Sequence, residues 1–111
     1  MGDVWGRYLA IILSKRIYVL LKYIITMPQI SRFYGIIILM NYLDHIPPHF
    51  HAIYNEYEIV VNIDDGEVKG IMPARALRIV LEWWELNKAA LNDRWEKSRL
   101  GLPLEKIEPL K

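Results

Sequence analysis

The chain has no cysteine, which excludes a disulfide framework and any zinc site built on thiolates, and makes the cytoplasm the expected compartment. Its six glycines are scattered, so no glycine-rich loop is available to cradle a phosphate. Long apolar runs are missing as well. Tyr8–Leu13 is cut off by Ser14, Lys15 and Arg16, and Ile17–Leu21 by Lys22, whereas a spanning helix needs about 20 consecutive apolar residues. A transmembrane segment is therefore not expected, and no small-residue cleavage site follows that would mark a secretory signal. Charge of one sign is not in excess either, the formal net charge being +1. Internal repeats and low-complexity stretches are absent.

What is present, over 111 residues, is 53% hydrophobic and 24% charged residues, the composition of one globular domain with a single core. The near-neutral balance conceals a split. Residues 1–26 carry Arg7, Lys15, Arg16 and Lys22 against Asp3, a net +3; residues 27–111 carry ten basic against twelve acidic side chains, a net −2. The first stretch reads as an apolar and basic extension. It is an amphipathic helix lying on a membrane surface, an extra helix or loosely held arm, or upstream sequence translated from an over-long gene start, with Met27-Pro28 as the natural beginning. The mildly acidic remainder is not drawn to phosphate backbones by bulk electrostatics.

From residue 27 the pattern predicts an α+β domain: an antiparallel meander of about four strands, then two helices packed on one face. Arg32–Tyr42 reads as one strand covered on both faces, with Gly35 marking a bulge or close approach. Pro47 and Pro48 remove two N–H donors and stiffen the approach to the next strand. Phe50–Tyr54 and Tyr57–Ile63 form a hairpin about Asn55-Glu56, pairing Tyr54 with Tyr57, Ala52 with Ile59 and Phe50 with Val61. Alternation then puts His49 and His51 together on the opposite face. A second turn at Asp65-Gly66 would pair Ile63 with Val68 and Asn62 with Lys69. A three-residue turn avoids the resulting clash of Asp64 with Glu67. Pro73 opens a helix whose stripe is Leu77, Val80, Leu81 and Trp84, widened by Ile79, Trp83 and Leu86. One helix from Pro73 to Leu100 would be about 42 Å long, too long for so small a domain, so a break is expected at Asn87-Lys88. Adjacent Trp83 and Trp84 cannot share one core, so at least one is expected to meet the second helix or another protein.

Several runs in this order resemble a known family: Met27–Gly35, Pro47-Pro48-His49-Phe50-His51-Ala52, Glu56-Tyr57-Glu58, Pro73-Ala74-Arg75-Ala76-Leu77, Leu81-Glu82-Trp83, and Trp95. Together they are similar to the small prokaryotic proteins called domain of unknown function 4160, over residues 27 to about 110. Members usually begin at the position of Met27, which makes residues 1–26 a departure. The resemblance carries no established activity and no catalytic residues. The family's genes often lie beside another small gene, a layout that resembles toxin–antitoxin pairs and implies an interaction protein with a small protein partner. Independently, four tryptophans and an excess of apolar residues suggest surface left for a partner or for a second copy of the chain.

All three histidines fall within seven residues, in Asp44-His45-Ile46-Pro47-Pro48-His49-Phe50-His51. Two histidines at i, i+2 on a strand point the same way and can reach one ion. Asp44 and His45 can complete the set, so Asp44, His45, His49 and His51 are the candidate ligands for zinc or another divalent metal. As an acid–base pair instead, His49 and His51 could take a proton from a ribose hydroxyl, while Arg32, Lys69 or Arg75 holds a phosphate. The plainer alternative is that the histidines hydrogen-bond across the sheet, to Asn62 or a backbone carbonyl, and pin the turn. Trp83 is the aromatic candidate for a binding surface. Two functions follow: an interaction protein of the toxin–antitoxin type, or a histidine- or metal-dependent nuclease acting on RNA through Asp44–His51.

Overall fold

The structure, a computed structural model, describes residues 27–111; the surface-helix and gene-start expectations for residues 1–26 lie outside the described residues. β-Branched and aromatic residues dominate the first half, and they form five strands: β1 (Gln29–Phe33), β2 (Ile36–Leu39), β3 (His49–Tyr54), β4 (Tyr57–Asn62) and β5 (Val68–Gly70). The strands pair antiparallel in sequence order, a meander. The fifth strand arises where the sequence suggests one long strand over Arg32–Tyr42. Tyr34 and Gly35 both take positive φ, +49° and +77°, which folds that run into a two-residue hairpin. Gly35 is thus a turn residue, and the bulge lies between Gln29 and Ser31 instead. All four residues of β2 are buried, as expected for a strand covered on both faces.

The β3–β4 hairpin has the register that alternation predicts, from Tyr54 opposite Tyr57 to His49 opposite Asn62, with Asn55 at φ +54°. The β4–β5 connection does not. Val61 pairs with Val68 and Val60 with Lys69, so the loop is longer than a tight Asp65-Gly66 turn. Asn62 explains the difference. Its Oδ1 accepts the N–H of Asp64 (2.8 Å), its N–H is donated to the Glu67 carbonyl, and Asp65 Oδ1 takes the Glu67 N–H. Side-chain acceptors thus satisfy a wider turn and keep Asp64 from facing Glu67.

Two helices follow, α1 (Ala74–Leu86) and α2 (Lys88–Arg99), with the break at Asn87 as anticipated. The face of α1 that is fully buried is Ala76, Val80 and Trp83, one position round from the expected stripe; Leu77, Leu81 and Trp84 are half-buried and Leu86 is exposed. The indole of Trp83 sets this rotation. It packs 5.3 Å from Phe33 and edge-on 5.7 Å from Phe50, and its Nε1 donates to the Glu108 carbonyl. Trp84 turns instead to the β4–β5 loop, donating from Nε1 to Ile63 O at 2.8 Å and lying against Gly66.

The helices cover one sheet face, burying Ile36, Ile38, Phe50, Ala52, Ile59 and Val61 with Leu91, Trp95 and Ile107 in one core. The tail is fastened to β1: Ile107 donates its N–H to Ile30 O, and Ser31 Oγ donates to Ile107 O. The other sheet face carries a smaller cluster of Ile37, Leu39 and Ile53, and it is the face of His49 and His51. Among the described residues no helix is long and apolar enough to cross a membrane.

Candidate metal centre

The site is assembled where the β2–β3 loop, residues 40–48, meets the end of α2. Leu43 adopts φ +52°, unusual for a side chain with a Cβ, and its N–H is donated to Ser98 O. Arg99 Nη1 donates to the backbone carbonyl of Asp44. Two residues at the helix end thereby clamp the loop and turn the Asp44 side chain toward β3. The Asp44 carboxylate accepts the His45 N–H on Oδ1 at 2.8 Å. The Ile46–Pro47 peptide is cis, and Pro48 O accepts the Ile63 N–H, continuing the β3–β4 ladder.

Strand alternation delivers the imidazoles. His49 and His51 project from the same face of β3 with ring centroids 5.4 Å apart and the rings edge to face. His49 is buried, 6% exposed, and its ring lies 5.2 Å from that of Trp95. Its Nδ1 is 2.7 Å from Pro47 O and its Nε2 3.0 Å from Asp44 Oδ2. His51 Nε2 is 3.9 Å from the same carboxylate oxygen. One ligand atom from each of Asp44, His49 and His51 lies within 4.8 Å of the others.

Electrostatics follow from this packing. Burial alone would raise the Asp44 carboxyl, but the His45 N–H, then the His49 hydrogen bond and the nearby histidine charge, outweigh it and hold the pKa below the usual carboxylate value. His51 is lowered below the ordinary histidine value, first by burial and then by repulsion from His49, with Asp44 and Glu58 opposing. At neutral pH Asp44 is therefore an anion and His51 a neutral imidazole with a lone pair to give.

His49 is the discriminating residue. A carbonyl and a carboxylate only accept hydrogen bonds, so filling both contacts takes a proton on each ring nitrogen. With Nδ1–H pinned by Pro47 O, the other way to reconcile the Nε2 lone pair with the carboxylate is a cation between them. A backbone carbonyl fixing the far nitrogen is also how metal-bound histidines are commonly oriented. The distances suit that role. Ligands at about 2.0–2.1 Å in a tetrahedron stand about 3.4 Å apart, and the two carboxylate–imidazole separations here, 3.0 and 3.9 Å, straddle that value.

The fourth expected ligand, His45, is placed differently. It is 81% exposed, its Nδ1 contacts its own Ile46 O, and its Nε2 is 3.7 Å from Asp44 Oδ1, outside the three-residue cluster. It lies at the rim, lining a cavity of about 160 Å³ with Pro47, His49, Val60, Asn62, Glu67 and Lys69. Lys69 reaches that cavity because β5 sets it beside Val60, which faces His51. Arg32 shares the sheet face but sits on β1, opposite Ile37, two strands from β3. Arg75 opens α1 beside a separate cavity of about 270 Å³ lined by Tyr34, Tyr54 and Ile79. Trp83 is fully buried. Of the histidines' expected structural partners the carbonyl is found, while Asn62 is committed to its turn. Arg99 and Trp95 had no signal as site residues, because their contacts join positions more than forty apart in the chain.

The geometry defines a small α+β domain with a carboxylate–bis-imidazole cluster beside an open cavity. A family model described as domain of unknown function DUF4160 matches residues 35–96, more than half of the chain, and the chain belongs to that family. No curated protein and no solved structure matches it.

Proposed function

We propose that the protein is a cytoplasmic, divalent-metal-dependent nuclease acting on RNA, with zinc or a similar ion held by Asp44, His49 and His51. The observation that carries the reading is the convergence of those three ligand atoms, with the outer nitrogen of His49 fixed by Pro47 O. An ion held by these three side chains would supply Lewis acidity and an activated water for the reaction. In hydrolysis the water oxygen bonds to phosphorus while the ester P–O bond breaks. Its electron pair leaves with the ester oxygen, which gains the proton the water gives up. His45, exposed beside the cavity and outside the ligand set, is the group placed to relay that proton.

The test is incubation of a labelled single-stranded RNA with zinc-loaded, untagged protein. The wild type should cut it, cutting should stop with a chelator, and His51→Ala should be silent; wild type and His51→Ala giving the same rate would contradict the reading.

A second reading, an interaction protein of the toxin–antitoxin type, is favoured by a separate observation. Leu43, Ile46 and Leu100 are each at least 70% exposed around the same loop. Coexpression with the neighbouring small gene's product should then give a complex that Leu43→Asp or Leu100→Asp breaks; two proteins that elute apart would exclude it.

A further inference from the structure

The cavity beside His49 offers more than a path to an ion. Its lining combines cationic and amide donors with a carboxylate acceptor on one sheet face. Lys69 supplies an ammonium. Asn62 has its Oδ1 committed to the N–H groups of Asp64 and Asp65, so the group it has to offer is its NH₂. Glu67, on the same lining, is an exposed carboxylate that can only accept. Val60 and Pro47 give the floor and wall an apolar surface.

Size narrows the ligand. Sites that enclose a whole small molecule measure about 300–1,000 Å³, and this one measures about 160 Å³. It seats one part of a larger molecule. The opposed chemistry then decides which part: an anion for Lys69 and Asn62, joined to a neutral hydroxyl donor for Glu67. A phosphoryl group attached to a sugar that bears a free hydroxyl meets both demands, while a bare phosphate or a carboxylate meets only the first and would be repelled by Glu67. Among the described residues no Phe, Tyr or Trp lines the cavity; its aromatic rings are the imidazoles of His45 and of His49, the latter held by Pro47 O and Asp44 Oδ2, so no large aromatic face is offered to a base.

We infer that this cavity binds one ribose-phosphate unit of single-stranded RNA, with Lys69 and Asn62 on the phosphoryl oxygens and Glu67 on the 2′-hydroxyl, the base remaining outside. The inference rests on the nuclease reading for its position beside the reactive ion, but the binding residues are not metal ligands. Binding is therefore testable without metal. It selects ribose over deoxyribose and is indifferent to sequence.

The experiment is fluorescence anisotropy of metal-free, untagged protein with a labelled oligouridylate, the matching oligodeoxyuridylate and an oligoadenylate. The ribose oligomers should bind equally, and about tenfold tighter than the deoxyribose one, the scale of one charge-assisted hydrogen bond. Lys69→Ala should weaken all three about tenfold, and Glu67→Gln should shrink the ribose preference. Equal affinity for RNA and DNA, or Lys69→Ala binding like wild type, overturns the inference even if zinc binds. If zinc does not bind but ribose selectivity persists and depends on Glu67, the cavity assignment stands and only the metal reading fails. Absence of binding by every oligomer sinks the inference outright.

Discussion

His49 stands between two oxygens that cannot donate, and most of what the site can do follows from that position. Removing its ring takes away one of the three proposed ligands and also leaves the Asp44 carboxylate, 15% exposed, without its nearest side-chain partner. His49→Ala should therefore lose zinc affinity by at least about a hundredfold and lower stability by about 1–3 kcal/mol, read by calorimetric titration and thermal melting. His51→Ala should lose affinity comparably with a smaller stability change. The acid side of the stability curve carries a second signature. His51 has its folded pKa below 6.5, so the unfolded chain binds the extra proton first. Its contribution is complete above about 6.5 and is lost as pH falls through the folded value. Asp44, lowered below 3.8, loses its contribution only at more acid pH. Urea melts of wild type and His51→Ala from pH 7.5 to 4.5 should converge as the pH falls; parallel curves would contradict the assignment. At this scale the sequence was readable where neighbours on one strand decide the outcome. His49 and His51 fell to one face by alternation alone. His45 did not join them, because its orientation is set by a loop whose path depends on Arg99, fifty-five residues later.

At the scale of elements, the β2–β3 loop carries Asp44 and the end of α2 clamps it. Arg99→Ala removes the hydrogen bond to Asp44 O but no ligand. Its zinc affinity should fall about tenfold, as for other groups that orient ligands, with a melting temperature close to wild type; an unchanged affinity would show that the clamp is dispensable. β5, which carries Lys69, depends on Gly70. There φ is +106°, and an added Cβ would meet the Glu58 carbonyl oxygen at 2.6 Å. Gly70→Ala should cost about 1–3 kcal/mol, measured by denaturant melts. The elements also show why sequence legibility was uneven. Asn55 announced its turn, so the β3–β4 register followed. Tyr34 is not a turn-forming residue, so the β1–β2 hairpin was hidden in an apolar run. The stripe of α1 was misjudged by one position because hydrophobicity cannot say which of two adjacent tryptophans the sheet will bury; that choice belongs to Phe33 and Phe50.

For the whole molecule, charge sets how the proposed RNA substrate would be held. Residues 27–111 carry a net −2, and Lys69 is the lysine or arginine lining the cavity beside the histidines. Binding of single-stranded RNA through one or two phosphates should weaken with salt at a log–log slope of about −1. A slope several times steeper would mean contacts to many more phosphates than this cavity offers. The match to the DUF4160 family covers β2 through most of α2, and so includes Asp44, His49 and His51 and both sides of the cavity. The account turns on whether a metal occupies the Asp44–His49–His51 cluster. The most direct measurement is the metal content of untagged protein equilibrated with zinc and then dialysed, beside an Asp44→Asn, His49→Ala, His51→Ala triple variant. The account predicts one zinc per wild-type chain and none in the variant. Wild type that retains no zinc, or a variant that retains as much, would contradict it.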